Sequence, residues 1–260
     1  MTTGRRRTPQ EVFGRRASFY ATSAVHTEGS VLGRLAEMAG PGAGDTVLDV
    51  GTGAGHTAFA VAPFVSRVVA TDVTPEMLLE VRRLRRGYGL DNVQLGLADA
   101  HHLPFTDEAF DLVTCRRAAH HFLRIGCSLA ELARVLRPGG RLVIDDRSVP
   151  DDDLVDATMN RLDELHDGSH VREYRPGEWV AMLEAAGLQI QEVEPYVRHL
   201  PLTSLTAGVA PAQVSEIHAM VAALDDHQRA IMKVEGKAGQ ITLNHWYVML
   251  VAVKPRVPAR

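Results

Sequence analysis

Residues 48–55 read Leu-Asp-Val-Gly-Thr-Gly-Ala-Gly, and this stretch decides the fold. The apolar run TVLDVG (46–51) ends directly in glycines at 51, 53 and 55, and helical sequence opens behind them. A buried strand turning into a helix leaves backbone N–H groups pointing outward at the helix start. Glycines there admit the left-handed turn and let a ligand approach the backbone closely. Such a loop by itself serves NAD, FAD or S-adenosylmethionine. Its detail discriminates. The dinucleotide fingerprint wants glycine where His56 stands, for close helix–strand packing. Asp49, ahead of the first glycine, would repel a pyrophosphate and suits a zwitterionic or cationic ligand better.

Outward from this stretch, short apolar runs recur at RVVATD (67–72), VQLGLA (93–98), FDLVTC (110–115) and RLVIDD (141–146). Helical stretches over 55–65, 75–87 and 127–136 separate them. Strand–helix alternation at this spacing predicts right-handed crossovers and a parallel sheet covered on both faces. Upstream, spaced apolar positions over 11–40 predict two helices, the second ending at Gly40-Pro41. Downstream, helices are expected over 151–167 and 176–186 and a strand over 188–194. A helical insertion near 204–235 and a last long strand over 241–253 follow. No Pro/Gly/Ser linker cuts the chain. It therefore reads as one α/β domain over 1–260: a helical lid (11–44), a ligand-binding core (45–147) and a C-terminal part with insertions (148–260).

Two further carboxylates carry chemistry. Asp72 ends the second strand, 19 residues after Gly53, where it can accept both hydroxyls of a ribose. The competing role is a helix cap before Pro75-Glu76, but Thr74 can fill that role. Asp99 follows the third strand in ADAHHLPFTDEAFDLVTC (98–115) and can accept from an exocyclic amine such as adenine N6. A fourth motif, ELARVLRPGGRLVID (131–145), is a helix stopped by Pro138-Gly139-Gly140 that returns as a buried strand.

Together these motifs resemble the class I S-adenosylmethionine-dependent methyltransferases, within them the ubiquinone/menaquinone C-methyltransferase-like group. The agreement spans residues 45–146. The resemblance implies a Rossmann-like seven-stranded sheet of order 3-2-1-4-5-7-6, only its last strand antiparallel. It also implies S-adenosylmethionine as cofactor. Gly51, Thr52 and Gly53 would line its methionine and ribose portion, with Asp49 and Arg116 near the methionine end. Asp72 would bind the ribose hydroxyls, Val73 and Met77 would pack on the adenine, and Asp99 and Ala100 would sit at its edge. After strand four the chain reads Cys-Arg-Arg-Ala-Ala-His-His, with no Asn-Pro-Pro-Tyr type sequence, which argues against amino-group methylation.

Methyl transfer from a sulfonium is an in-line displacement, so a base is needed only if the acceptor is protonated. His120 and His121 stand just past strand four, at the ligand-binding edge of an α/β sheet, with His121 ranked slightly ahead; capping or packing the next helix is the competing role. In the resemblance's terms, Tyr20 on a lidding N-terminal helix could face the sulfonium or the acceptor. Arg147 leaves strand five toward the pocket and could bind an acidic substrate, or pair with Asp145 or Asp146. His56, His245 and Trp246 read as packing or surface residues. No metal is expected, because adjacent histidines point apart and no carboxylate follows strand four.

Composition narrows the partners. The 260 residues carry a net charge of −4, and residues 145–167 hold nine acids against two arginines. An acidic insertion near the site would repel phosphates, so no nucleic acid is expected. The basic run RRLRRGYG (82–89) reads as a solvated face. No apolar stretch is long enough for a membrane span, no secretory signal is visible, and Cys115 and Cys127 cannot frame a disulfide scaffold. The expectation is a cytoplasmic methyltransferase acting on carbon or oxygen of a small-molecule acceptor, with a homodimer left open. The alternative is a protein of the same fold that binds S-adenosylmethionine without methylating, such as a cyclase, isomerase or ligand sensor. An NAD oxidoreductase is a more distant third.

Overall fold

The computed structural model describes residues 6–14, 17–18, 28–236 and 240–256. Its sheet is built from β1 (Thr46–Val50), β2 (Arg67–Asp72), β3 (Val93–Leu97), β4 (Phe110–Arg116), β5 (Leu136–Ser148), β6 (Gln189–Pro201) and β7 (Thr242–Val253). The strand order is β3-β2-β1-β4-β5-β7-β6, as the resemblance implied. Strands β1 to β5 pair in parallel, and β7 runs antiparallel to both β5 and β6.

Alternation along the strands splits the core into two layers. Leu48, Val113, Leu142, Ile144 and Leu250 point to one face, against α5 (Ile125–Val135) and α7 (Pro176–Ala185), where Trp179 is fully buried. Val47, Leu112, Val143 and Val251 point to the other, against α2 (Gly29–Ala39) and α3 (His56–Val61). The crossover helix α4 (Pro75–Tyr88) packs on β2 and β3. A third cluster lies apart from the sheet layers. In it α6 (Asp153–His166), α8 (Thr203–Thr206) and α9 (Pro211–Ala222) bury Met159, Leu162, Leu205, Ile217 and Val221, and α10 (Asp226–Ile231) closes beside them. This cap has its own apolar core, so it can hold a wall of the site in place.

Three expectations change. Strand β5 begins at Leu136 and carries Pro138-Gly139-Gly140 as an irregularity, with a register shift against β4 between Phe110 and Leu112. Strand β6 runs past Pro195 to Pro201; as the sheet's edge it tolerates proline, whose missing N–H faces no neighbouring strand. The first N-terminal helix, α1, is the short Pro9–Phe13, opened by a Thr8–Glu11 capping box. The second ends as expected, with Gly40 in the left-handed conformation. Tyr20 lies outside the described residues.

Candidate active site

The carboxyl ends of β1, β2, β4 and β5 open into a cavity of about 600 Å³. Thr8, Pro9 and Phe13 of the α1 region cover one side, and α6 and α8 close another. The glycine loop forms its floor. Gly51 has φ +64°, and a Cβ there would stand 2.5 Å from the Ala118 Cβ, so this position takes only glycine. Gly55 has φ +92° and lies against Phe59 and Val81, so the third glycine is spent on packing.

Asp72 is 8% exposed and lines the cavity. One carboxylate oxygen accepts the Gly53 N–H at 2.9 Å and the other the Thr74 N–H at 2.8 Å. Thr74 makes no side-chain cap bond, and its own N–H, at the N-cap position, donates to Asp72. A carboxylate has acceptor capacity beyond these two bonds. Burial raises the Asp72 carboxyl above its ordinary value. Val73, Met77, Asp99 and Ala100 line the same end of the cavity. Asp99 is held by the His101 backbone N–H at 2.9 Å and sits 2.6 Å from His101 Nδ1.

Asp49 is not on the cavity wall. It lies beneath the loop, 1% exposed, and accepts the hydroxyls of Thr52 at 2.5 Å and Thr114 at 2.7 Å. Burial pushes its carboxyl up to about 6. Arg116 lines the cavity above it and donates from Nε to Thr57 Oγ1 at 3.0 Å. Its neighbour Arg117, in the left-handed region at φ +51°, stacks 4.5 Å over the Tyr247 ring and stands 3.6 Å from Asp145.

His120 and His121 both line the cavity, from a 3₁₀ turn over Ala119–His121. Their surroundings differ. His120 Nδ1 lies 2.5 Å from Asp146 Oδ1, while Asp146 Oδ2 accepts the Ala119 N–H at 2.7 Å. Burial would raise the Asp146 carboxyl, but the His120 ring and the backbone donors outweigh it and hold it below its ordinary value. His121 makes no direct hydrogen bond to a carboxylate among the described residues; its Nδ1 is 3.2 Å from Ser169 Oγ and its ring meets Phe13 edge-on at 4.9 Å. Burial and the adjacent His120 push the His121 imidazole down to about 3. The two histidines thus differ in their partners, because the carboxylate that distinguishes them arrives from β5.

Arg147 pairs with neither Asp145 nor Asp146. It is clasped by Glu173 and Asp163, two acids of the cap, with His245 Nδ1 at 3.3 Å from Nη2. Asp145 instead faces Arg116 and Arg117 and accepts the Tyr196 hydroxyl at 2.7 Å. His166 and His170 complete the cap side. Sequence reading passed over Asp146, Arg117, Asp163, His166 and His170. Only Asp146 carried a signal, as an acid at the carboxyl end of a predicted strand. Among the described residues no group of three or more His, Cys, Asp or Glu stands in a metal-holding arrangement. No helix among them is long and apolar enough to cross a membrane.

Residues 48–144 match the family described as a methyltransferase domain. The chain is 38% identical to the methyltransferase YcgJ of Bacillus subtilis over 195 residues, 75% of this chain and 76% of that protein. The chain belongs to the class I S-adenosylmethionine-dependent methyltransferases. The crystal structure of YcgJ superposes with a TM-score of 0.83 at 31% identity, covering 88% of this chain and 99% of that one. The methyltransferase GfsG of Streptomyces halstedii is 32% identical over 85% of this chain and 78% of its own. The ubiquinone/menaquinone C-methyltransferase of Paracoccus denitrificans is 42% identical, over 40% of this chain and 43% of its own.

S-adenosylmethionine is the cofactor of this methyltransferase family, and the residues present fit it. Asp72 presents its carboxylate at a strand tip on the cavity wall, and the Gly51 position leaves no room for a side chain.

Proposed function

We propose that this methyltransferase acts on an oxygen or carbon of a small organic acceptor, with His120 as general base. The observation that carries the reading is the His120–Asp146 pair at the cavity wall. In the site so read, Asp72 holds the ribose hydroxyls, Val73 and Met77 pack on the adenine, Asp99 and Ala100 sit at its edge, and Gly51, Thr52, Gly53 and Arg116 border the methionine end. When bound, S-adenosylmethionine supplies a methyl group on a positively charged sulfur that departs with the bonding electron pair.

The chain's own residues then have three tasks. The loop and Asp72 fix the donor, α1 and the cap exclude water, and His120 takes the proton that the acceptor loses. Asp146 fixes the proton on Nδ1, turns the Nε2 lone pair outward and stabilises the imidazolium that forms. Asp49 positions Thr52 from below. An acid-rich cap beside the cavity disfavours RNA or DNA as acceptor.

The test is turnover to S-adenosylhomocysteine with a panel of phenols, alcohols and hydroxyquinones, in the wild type and in His120→Gln. Turnover that falls about 10²–10⁴-fold in the variant, with donor affinity held, supports the base. No turnover with any acceptor would favour a non-methylating binder of the same fold.

A further inference from the structure

A second cavity, of about 460 Å³, lies on the flank of β2 and β3, apart from the methyltransferase site. Its origin is local. Val68 and Ala70 of β2 point into the layer of α3, so Arg67 and Val69 alternate to the opposite face. The register sets Val69 beside Gln94 and Thr71 beside Gly96, which puts Gln94 and Gly96 of β3 on that same face. A parallel sheet is normally covered on both faces by its crossover helices. Here the connection from β3 to β4, residues 98–109, carries no helix. Val69 therefore stays half-buried although β2 lies between β1 and β3, and Gly96 adds no side chain to the floor. Phe105 and Phe110, edge-on at 5.1 Å, form the wall of this groove.

The groove is polar at one end only. Arg67 opens β2 and Gln94 stands near the start of β3, whereas the far end is Leu97, 61% exposed. The chain carries a net charge of −4, yet among the described residues no Asp or Glu lines the groove, and Arg67 is its one charged residue. Elsewhere on the surface Arg34, Arg134, Arg137 and Arg141 each hold a carboxylate. The Arg67 guanidinium and the Gln94 amide make no hydrogen bond or ion pair with any described residue.

These features select a ligand. An apolar trough with an aromatic wall takes a flat apolar body, and its volume falls in the range of small-molecule sites, about 300–1,000 Å³. A guanidinium next to an amide at one end offers charge-assisted hydrogen bonds to a carboxylate. A cationic ligand would meet Arg67 with no acid to receive it, and a neutral one would leave Arg67 unmatched.

From this juxtaposition we propose that the groove is a second ligand site, separate from the donor cavity, and that it takes a flat apolar anion of the aromatic carboxylate class. The ring system lies along Val69, Gly96 and Phe105, and the carboxylate accepts from Arg67 and Gln94. The site is independent of the base and acceptor assigned above.

The experiment uses the full chain, labelled with nitrogen-15 and saturated with S-adenosylhomocysteine. It is titrated with 2-naphthoate, and with 2-naphthamide and 2-naphthylmethylamine as neutral and cationic counterparts. 2-Naphthoate should move the amide resonances of Gly96, Leu97 and Phe105 saturably and bind more tightly than either counterpart. Arg67→Gln should weaken it about tenfold, as expected for a hydrogen bond between charged groups, and bring it level with the amide. Arg67→Glu should reverse the order, so that the amine binds best. Arg67 is exposed, so both variants should keep the wild-type Tm. Gly96→Val, which fills the floor, should weaken the naphthoate and the naphthamide alike. Absence of binding, shifts confined to residues of the donor cavity, a wild type that prefers the amide or the amine, or indifference to Arg67→Gln overturns the proposal. A concentration-dependent dimer that shields the same amides overturns it as well.

Discussion

His120 Nδ1 and Asp146 Oδ1 stand 2.5 Å apart, although 26 residues separate them in the chain. The same carboxylate receives the backbone N–H groups of Ala119 and Arg147, so it is fixed before it orients the imidazole. Asp146 is placed to hold the proton on His120 Nδ1, whereas burial and the adjacent His120 hold the His121 imidazole well below its ordinary value. That contrast separates His120 from His121.

Replacing Asp146 by Asn keeps the shape but offers His120 an amide that no longer stabilises the imidazolium. With a hydroxyl acceptor, kcat should fall about 10²–10⁴-fold while donor affinity stays near that of the wild type. Asp146→Asn and His120→Gln should not add, because both remove one unit. Additive losses in steady-state kinetics would dissolve the pair.

Asp72→Ala should weaken S-adenosylmethionine binding by about 1.5–3 kcal/mol, the usual worth of hydrogen bonds to a charged group. Because Asp72 also holds Gly53 and Thr74, a modest loss of stability should accompany it. Calorimetric titration of a folded variant with unchanged affinity would remove Asp72 from the donor site.

Gly51→Ala brings a Cβ to 2.5 Å from Ala118 and forces an L-residue to φ +64°. The strain alone is of order 1–3 kcal/mol, and relieving the clash must move the loop off the donor. Both Tm and donor affinity should drop. Gly177→Ala, at an open position in α7, is the control and should change neither.

Acid should destabilise the fold before it reaches the ordinary carboxylate range. His121, His170 and His245 titrate at about 3, 4 and 3 in the folded chain against 6.5 ordinarily. As pH falls through 6.5 the unfolded chain takes up these protons and the folded chain does not, so stability is lost between there and about 4. Asp49, raised from 3.8 to about 6, works the other way and offsets part of the slope. Calorimetry should show Tm falling between about pH 7 and 5, less steeply in His245→Gln. A Tm that rises across that range would contradict the assignment.

The sequence by itself determined the sheet, its order through the family resemblance, and the cofactor that the family uses. The reason is locality: LDVGTGAG, ATDVTPEML and ADAHHLPF each place their chemistry within a few residues of a strand end. A strand tip, a left-handed glycine and a helix start are defined by neighbours in the chain. Even there, local reading misjudged Thr74, whose hydroxyl makes no cap bond to the helix start while its own N–H donates to Asp72.

The partners of the histidines and of Arg147 were decided by tertiary structure alone. Which histidine meets a carboxylate depends on β5 lying beside β4, and which acids clasp Arg147 depends on the cap folding back over the sheet. Asp163 and Glu173 lie 16 and 26 residues from Arg147, at no periodic spacing from it. Burial, which pushes the imidazoles of His121, His170 and His245 down, is a property of the packed layers and is written at no single position in the chain.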